Sequence, residues 1–159
     1  MAATGGRTPL GALFFEVGDD GAMKVEGEMT GLPSGKHAYH VHQFGDCSSA
    51  DGESAGTHFH FQGSSENPGE GIAHITGDLG ELDVPADGKI SVKARVEKAG
   101  LQGGFSIIGR SVIIHERGND PSKPPMGDAG GRIACGVIGI AKGSAAAETA
   151  SATPKHTGH

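Results

Sequence analysis

The segment Met23-Lys24-Val25-Glu26-Gly27-Glu28-Met29 alternates strictly, with Met23, Val25, Gly27 and Met29 on one side and three charged residues on the other. A period of two is the signature of a β-strand, because successive side chains leave opposite faces of the pleat. Lys89 to Val96 repeats the pattern, with Ile90, Val92, Ala94 and Val96 facing inward. Half-buried strands of this kind belong to antiparallel sheets with one wet face. Leu10 to Val17, Arg110 to His115 and Ile133 to Ile140 are more continuously apolar and read as core strands. Gly18-Asp19-Asp20-Gly21, Leu32-Pro33-Ser34-Gly35 and Pro85-Ala86-Asp87-Gly88 are turn signals between such runs. With 29 Gly and no Trp among 159 residues, the composition suits short strands and tight turns better than a helical bundle. The expectation is one all-β domain, a sandwich or barrel.

Two connections break the rhythm of short strands. Gln43 to Gly80 is polar and rich in Gly, Ser and His, and Glu116 to Arg132 carries three prolines. Loops this long in a compact domain are usually functional. Both begin beside histidines. In His37-Ala38-Tyr39-His40-Val41-His42-Gln43-Phe44 the alternation puts His40 and His42 on one face and Tyr39 and Val41 on the other. Two imidazoles on one face of a rigid strand form half a site for copper or zinc. His58 follows in Gly56-Thr57-His58-Phe59-His60, and His115 ends the run Ser111-Val112-Ile113-Ile114.

The net charge of −6 with neutral histidines argues against nucleic acid or an acidic membrane surface as the main partner. No stretch approaches the ~18 apolar residues of a membrane span. Met1 to Thr8 has no hydrophobic signal core, so the chain reads as cytoplasmic, or as secreted with its signal removed. Cys47 and Cys135 form no CxxC motif; two buried thiols or one disulfide both fit. Three parts follow: an N-terminal arm over 1–8, a domain over 9–142, and an Ala/Ser/Thr-rich tail over 143–159 read as disordered, whose His156 and His159 are taken as solvated.

His40-Val41-His42-Gln43-Phe44-Gly45-Asp46 resembles the His-Val-His-Glu-Phe-Gly-Asp signature of copper/zinc superoxide dismutases. Ser54-Ala55-Gly56-Thr57-His58-Phe59, Gly77-Asp78-Leu79-Gly80, the segment Ile108 to Glu116 and the segment Gly130 to Ile140 resemble four further motifs of that family, in order. The resemblance implies a Greek-key β-sandwich, or flattened barrel, of seven to eight antiparallel strands with two long functional loops. It implies copper ligands His40, His42, His58 and His115, with His58 bridging copper and zinc. It implies Arg132 as the guanidinium that guides superoxide to the copper, Asp78 as a zinc ligand, and a Cys47–Cys135 disulfide. Residues near Phe44 to Ser49 and Gly136 to Ile140 resemble the family's dimer surface, which implies a homodimer.

The chain departs from the family at the zinc site. Glu66 stands where the family has a His, and His74 is displaced by one residue toward the N-terminus, so that a slip in the loop is needed to bring it in. Glu66 or His60 is then the substitute expected to complete four ligands. Asn119 stands where a family Asp links copper and zinc ligands, which agrees with a weakened zinc site. The second loop is short, and its charged guidance segment is reduced to Lys123 and its neighbours. Met1 to Thr8 is too short and glycine-rich for the usual first strand, leaving an edge missing or supplied by a partner. Two functions follow: a copper-dependent superoxide dismutase with weak or no zinc, or a non-enzymatic metal binder or carrier on the same fold.

Overall fold

The computed structural model describes residues 2–3, 9–59, 77–96, 100–101, 106–123 and 127–142. Its strands are β1 (Ala2–Ala3), β2 (Leu10–Val17), β3 (Met23–Thr30), β4 (Gly35–His42), β5 (Asp78–Val84), β6 (Ile90–Val96), β7 (Ser111–His115) and β8 (Arg132–Val137), with one 3-10 turn at Glu53–Ala55. One sheet has the order β1-β8-β7-β4-β5 and the other β2-β3-β6, and every paired strand runs antiparallel to its neighbour. The chain changes sheet after β1, after β3, after β5 and after β6, which makes the sandwich a Greek key.

The alternating segments behave as their pattern demands. Met23, Val25 and Met29 of β3 are buried, as are Val92 and Val96 of β6, and they meet Tyr39, Val41, Leu82, Val112, Ile114 and Ile133 from the facing sheet. Each fully buried aliphatic side chain there contributes roughly 1.5–3 kcal/mol. The β2–β3 hairpin closes through Gly18 N–H donating to Ala22 O at 2.9 Å, with Gly21 at φ 82°, a conformation glycine adopts without steric penalty.

Two expectations change. Leu10–Val17 is not a core strand but the edge of the three-stranded sheet, where Leu10 is 66% and Val17 41% exposed. Its apolar run exceeds what one inward face takes up. The first edge is not wholly missing either: Ala2 and Ala3 pair with Cys135 and Ala134 of β8. Residues 4–8 and 143–159, with His156 and His159, lie outside the described residues.

Candidate metal centre

The site grows from the outer face of the five-stranded sheet. β4 puts Tyr39 and Val41 into the core and His40 and His42 on the opposite face, as the alternation requires. β7 pairs with β4 and ends in His115, where a register shift between Ile114 and His115 sets that residue opposite Arg132. His58 arrives on the first long loop. An isolated bridge joins it to His42, and Phe59 N–H donates to Val41 O at 2.8 Å. The loop is also tied down covalently, because Cys47 and Cys135 form a disulfide with Cα atoms 5.7 Å apart. That bond packs with Ala55 and Ile113 beneath the loop.

His40, His42, His58 and His115 therefore converge, each offering a ring nitrogen within 4.8 Å of the others. All four are buried, His40 and His42 completely. Burial pushes His40 down to about 4, His42 to about 3 and His115 to about 4, with the Arg132 charge adding to the fall for His42 and His115. These three rings are neutral at pH 7, so each carries one proton.

Their partners decide where that proton sits. His42 Nδ1 lies 2.9 Å from Gly56 O and His115 Nδ1 lies 3.1 Å from Gly130 O. A carbonyl only accepts, so both Nδ1 atoms donate and both Nε2 atoms carry lone pairs. Those two Nε2 atoms face each other at 3.3 Å with no proton to share. Gly56 sits at φ 77°, and a Cβ there would meet the Phe44 ring at 2.7 Å, so the carbonyl that orients His42 depends on glycine.

Asn119 settles the third ring. Its Nδ2 donates to Asp78 Oδ1 at 3.0 Å, so its Oδ1 faces His40 Nε2, 2.7 Å away, and accepts that proton. His40 Nδ1 is left as a buried lone pair without a hydrogen-bond partner. Three neutral rings with lone pairs to offer, buried and clustered with His58, fit a borderline cation. The sequence reading treated Asn119 as a lost link. The structure shows that the amide still bridges a histidine and Asp78, with a donor where an Asp would bring a second charge. A bulge around Leu79 makes this possible, since Tyr39 pairs with Gly80 but His40 with Asp78.

Arg132 opens β8 beside this cluster. Its Nη1 donates to Gly52 O at 2.8 Å, and its Nη2 lies 3.7 Å from Glu53 Oε2. The second loop docks through Asn119 N–H to Glu81 Oε2 at 2.8 Å and Ala38 N–H to Arg117 O at 2.8 Å. Lys123 does not stand ready as a guidance charge, because it pairs with Asp128 at 2.9 Å and Asp120 at 3.8 Å. Sequence reasoning missed Gly52 and Glu53. Both directly precede the Ser54-to-Phe59 motif, but only the folded loop reveals that they face Arg132.

Of the zinc ligands expected, the described residues place His58 and Asp78, whose Oδ1 already accepts from Gly80 N–H at 2.8 Å as well as from Asn119. His60, Glu66 and His74 lie outside the described residues. Among the described residues, the one grouping with metal-ligand geometry is the four histidines. Among the described residues, no helix is long and apolar enough to cross a membrane.

Known proteins were compared with this arrangement. The family model of copper/zinc superoxide dismutase (SODC) matches residues 10–138. "Superoxide dismutase [Cu-Zn] A" of Xenopus laevis is 41% identical over 138 residues, covering 82% of this chain and 89% of that protein. "Extracellular superoxide dismutase [Cu-Zn]" of Caenorhabditis elegans is 37% identical over 142 residues, covering 85% of this chain but 63% of the longer relative. Among solved structures, the "clock protein EA4" superposes with a TM-score of 0.66 at 33% identity, covering 81% of this chain and 85% of that one. A matched model spanning most of the chain, two relatives above the level where fold and family diverge, and four histidines on the expected strands and loop lead to one conclusion: the chain belongs to the copper/zinc superoxide dismutase family.

Proposed function

We propose that the protein is a copper-dependent superoxide dismutase, converting superoxide to oxygen and hydrogen peroxide. The observation that carries this reading is the set of inward-facing lone pairs on His40, His42 and His115, with His58 beside them and the Arg132 cation at their edge. His40, His42, His58 and His115 would hold the ion. Copper alternating between Cu(II) and Cu(I) supplies the one-electron chemistry.

The chain's own residues do the rest. The Arg132 guanidinium would draw the anion to the mouth of the cluster. His58 would pass one proton to the departing peroxide and regain it from solvent, which also supplies the second of the two protons that superoxide lacks. Gly56 O, Gly130 O and Asn119 keep the other three rings in the tautomers that face inward. Zinc is weakly held or absent in this reading, and no step depends on it.

Exposed Phe44, Ile108 and Ile140, at 58%, 38% and 65%, favour a homodimer. Their segments touch, as a Cβ on Gly45 would meet Gly109 O at 2.3 Å and Gly109 N–H donates to Ile138 O at 2.8 Å. The relatives' names include an extracellular dismutase, and a cytoplasmic or an extracellular setting suits this chain equally. A second reading, a metal binder or carrier with little turnover, is favoured by the pairing of Arg132 with Glu53 and of Lys123 with Asp128.

Elemental analysis paired with a superoxide-consumption assay tests both. The enzyme reading expects about one copper per chain and turnover that His115→Ala abolishes while the sandwich stays folded. Copper-loaded protein without turnover supports the binder instead.

A further inference from the structure

We propose that Glu53 is a specificity-determining residue of the anion site, its carboxylate occupying one arm of the Arg132 guanidinium so that an incoming anion must displace it. The inference rests on the dismutase reading for the identity of the anion, and on geometry for the rest.

Consecutive residues take up the two ends of the guanidinium. Gly52 O accepts from Nη1 at 2.8 Å, and Glu53 Oε2 lies 3.7 Å from Nη2. The Arg132 side chain is 13% exposed and that of Glu53 is 70% exposed, so the cation is set in the wall while the acid stands in solvent at its opening. The carboxylate is presented by a fixed turn. Gly52 is at φ 78°, Glu53 N–H donates to Asp51 Oδ1 at 3.0 Å, and Gly56 N–H donates to Glu53 O at 3.0 Å. Burial lowers the His42 and His115 rings and the Arg132 charge adds to the fall, while Asp51 is lowered by the Glu53 N–H and Ser49 with a smaller push from the same charge. The guanidinium thus acts on the metal cluster and on the acidic turn that carries Glu53.

A carboxylate standing at Nη2 competes with an incoming anion for the donors and the charge on that arm of the guanidinium. A tethered carboxylate at 3.7 Å is loose enough to yield and near enough to compete. Solvent-exposed pairs of this kind shift an equilibrium roughly 1.5- to 5-fold. Because Lys123 is held by Asp128 and Asp120, it does not offset the acid at the rim. Glu53→Gln removes the charge and keeps the shape and the backbone bonds of the turn.

The experiment compares the full chain loaded with Cu(II) as wild type, Glu53→Gln, and Glu26→Gln, the last an exposed acid on β3 that controls for net charge. Azide is titrated and its charge-transfer absorption followed. Glu53→Gln should lower the azide Kd roughly 1.5- to 5-fold, with the gain shrinking as salt is raised, and Glu26→Gln should leave it unchanged. In metal-free protein, phosphate titration followed at the Arg132 guanidinium by NMR should show the same ranking. Equal anion affinity in wild type and Glu53→Gln, or an equal gain in Glu26→Gln, overturns the proposal. The superoxide kcat/KM should rise by the same factor. Tighter azide binding with no superoxide consumed by either protein would end the dismutase reading and leave the role of Glu53 intact.

Discussion

Asn119 holds His40 by a 2.7 Å hydrogen bond from His40 Nε2 to its own Oδ1, and it does so across 79 positions of sequence. The acceptor end of the amide faces His40 because the donor end is taken by Asp78. Asn119→Ala frees the ring to adopt the other tautomer. Copper affinity should fall about 10- to 100-fold, the range expected when a partner of a ligating histidine is lost. Competition against a chelator of known affinity measures it. Unchanged affinity would mean that the strand alone orients the ring.

Arg132→Glu should slow superoxide consumption far more than it weakens metal binding. The side chain hydrogen-bonds Gly52 O, approaches Glu53 and is not one of the four clustered histidines, so the ligands keep their places while attraction becomes repulsion. Rate and bound copper measured on the same samples separate the effects. Proportional losses of both would show that Arg132 is structural.

Cys47–Cys135 closes a loop with a sequence separation of 88. Chain entropy assigns such a crosslink about 4–5 kcal/mol. Cys47→Ser should lower Tm by roughly 10–20 °C for a domain of this size. It should also weaken copper binding, because His58 lies on the loop the disulfide anchors. Calorimetry and metal content check both, and a Tm within a few degrees of wild type would refute the argument.

The pH dependence of the metal-free protein follows from the buried rings. His40, His42 and His115 are depressed to about 4, 3 and 4 in the folded state, against about 6.5 when unfolded. Between those values the unfolded chain binds more protons, so stability falls as pH falls from about 6.5 toward 4. Each ring contributes up to about 1.4 kcal/mol per pH unit within that window. Above pH 7 these rings add no pH dependence. Thermal unfolding at pH 7 and pH 5 is the measurement, and equal Tm values would contradict the burial argument.

Mild chelation should remove zinc before copper, or find none. Structural zinc takes four closed ligands, and the described residues supply His58 and Asp78, with one Asp78 oxygen already accepting two hydrogen bonds. Elemental analysis after graded chelation decides. Stoichiometric zinc as resistant as copper would mean that His74 and a substitute from the 60–76 segment rebuild the site.

Much of this was legible in the chain. Alternation placed β3 and β6, the turn residues placed the hairpins, and the period of two put His40 and His42 on one face. Five ordered motifs supplied His58 and His115, which no local pattern connects to β4. The edge position of β2 was hidden because an apolar run reads alike whether one face or two are covered. The role of Asn119 was hidden because a substitution shows which residue is present and not which way its amide points. Glu53 was hidden because ion pairs across 79 residues depend on how a loop lies.

The carbonyls and amide that hold His42, His115 and His40 belong to backbone segments already locked by strand pairing and loop docking. The donor atoms thus keep their positions through the scaffold rather than through the ion they surround. A cavity of that kind has little nuclear motion to make when the charge inside it changes by one. Under the copper-dismutase proposal, three of the four ligands would then need little rearrangement as an electron arrives or departs.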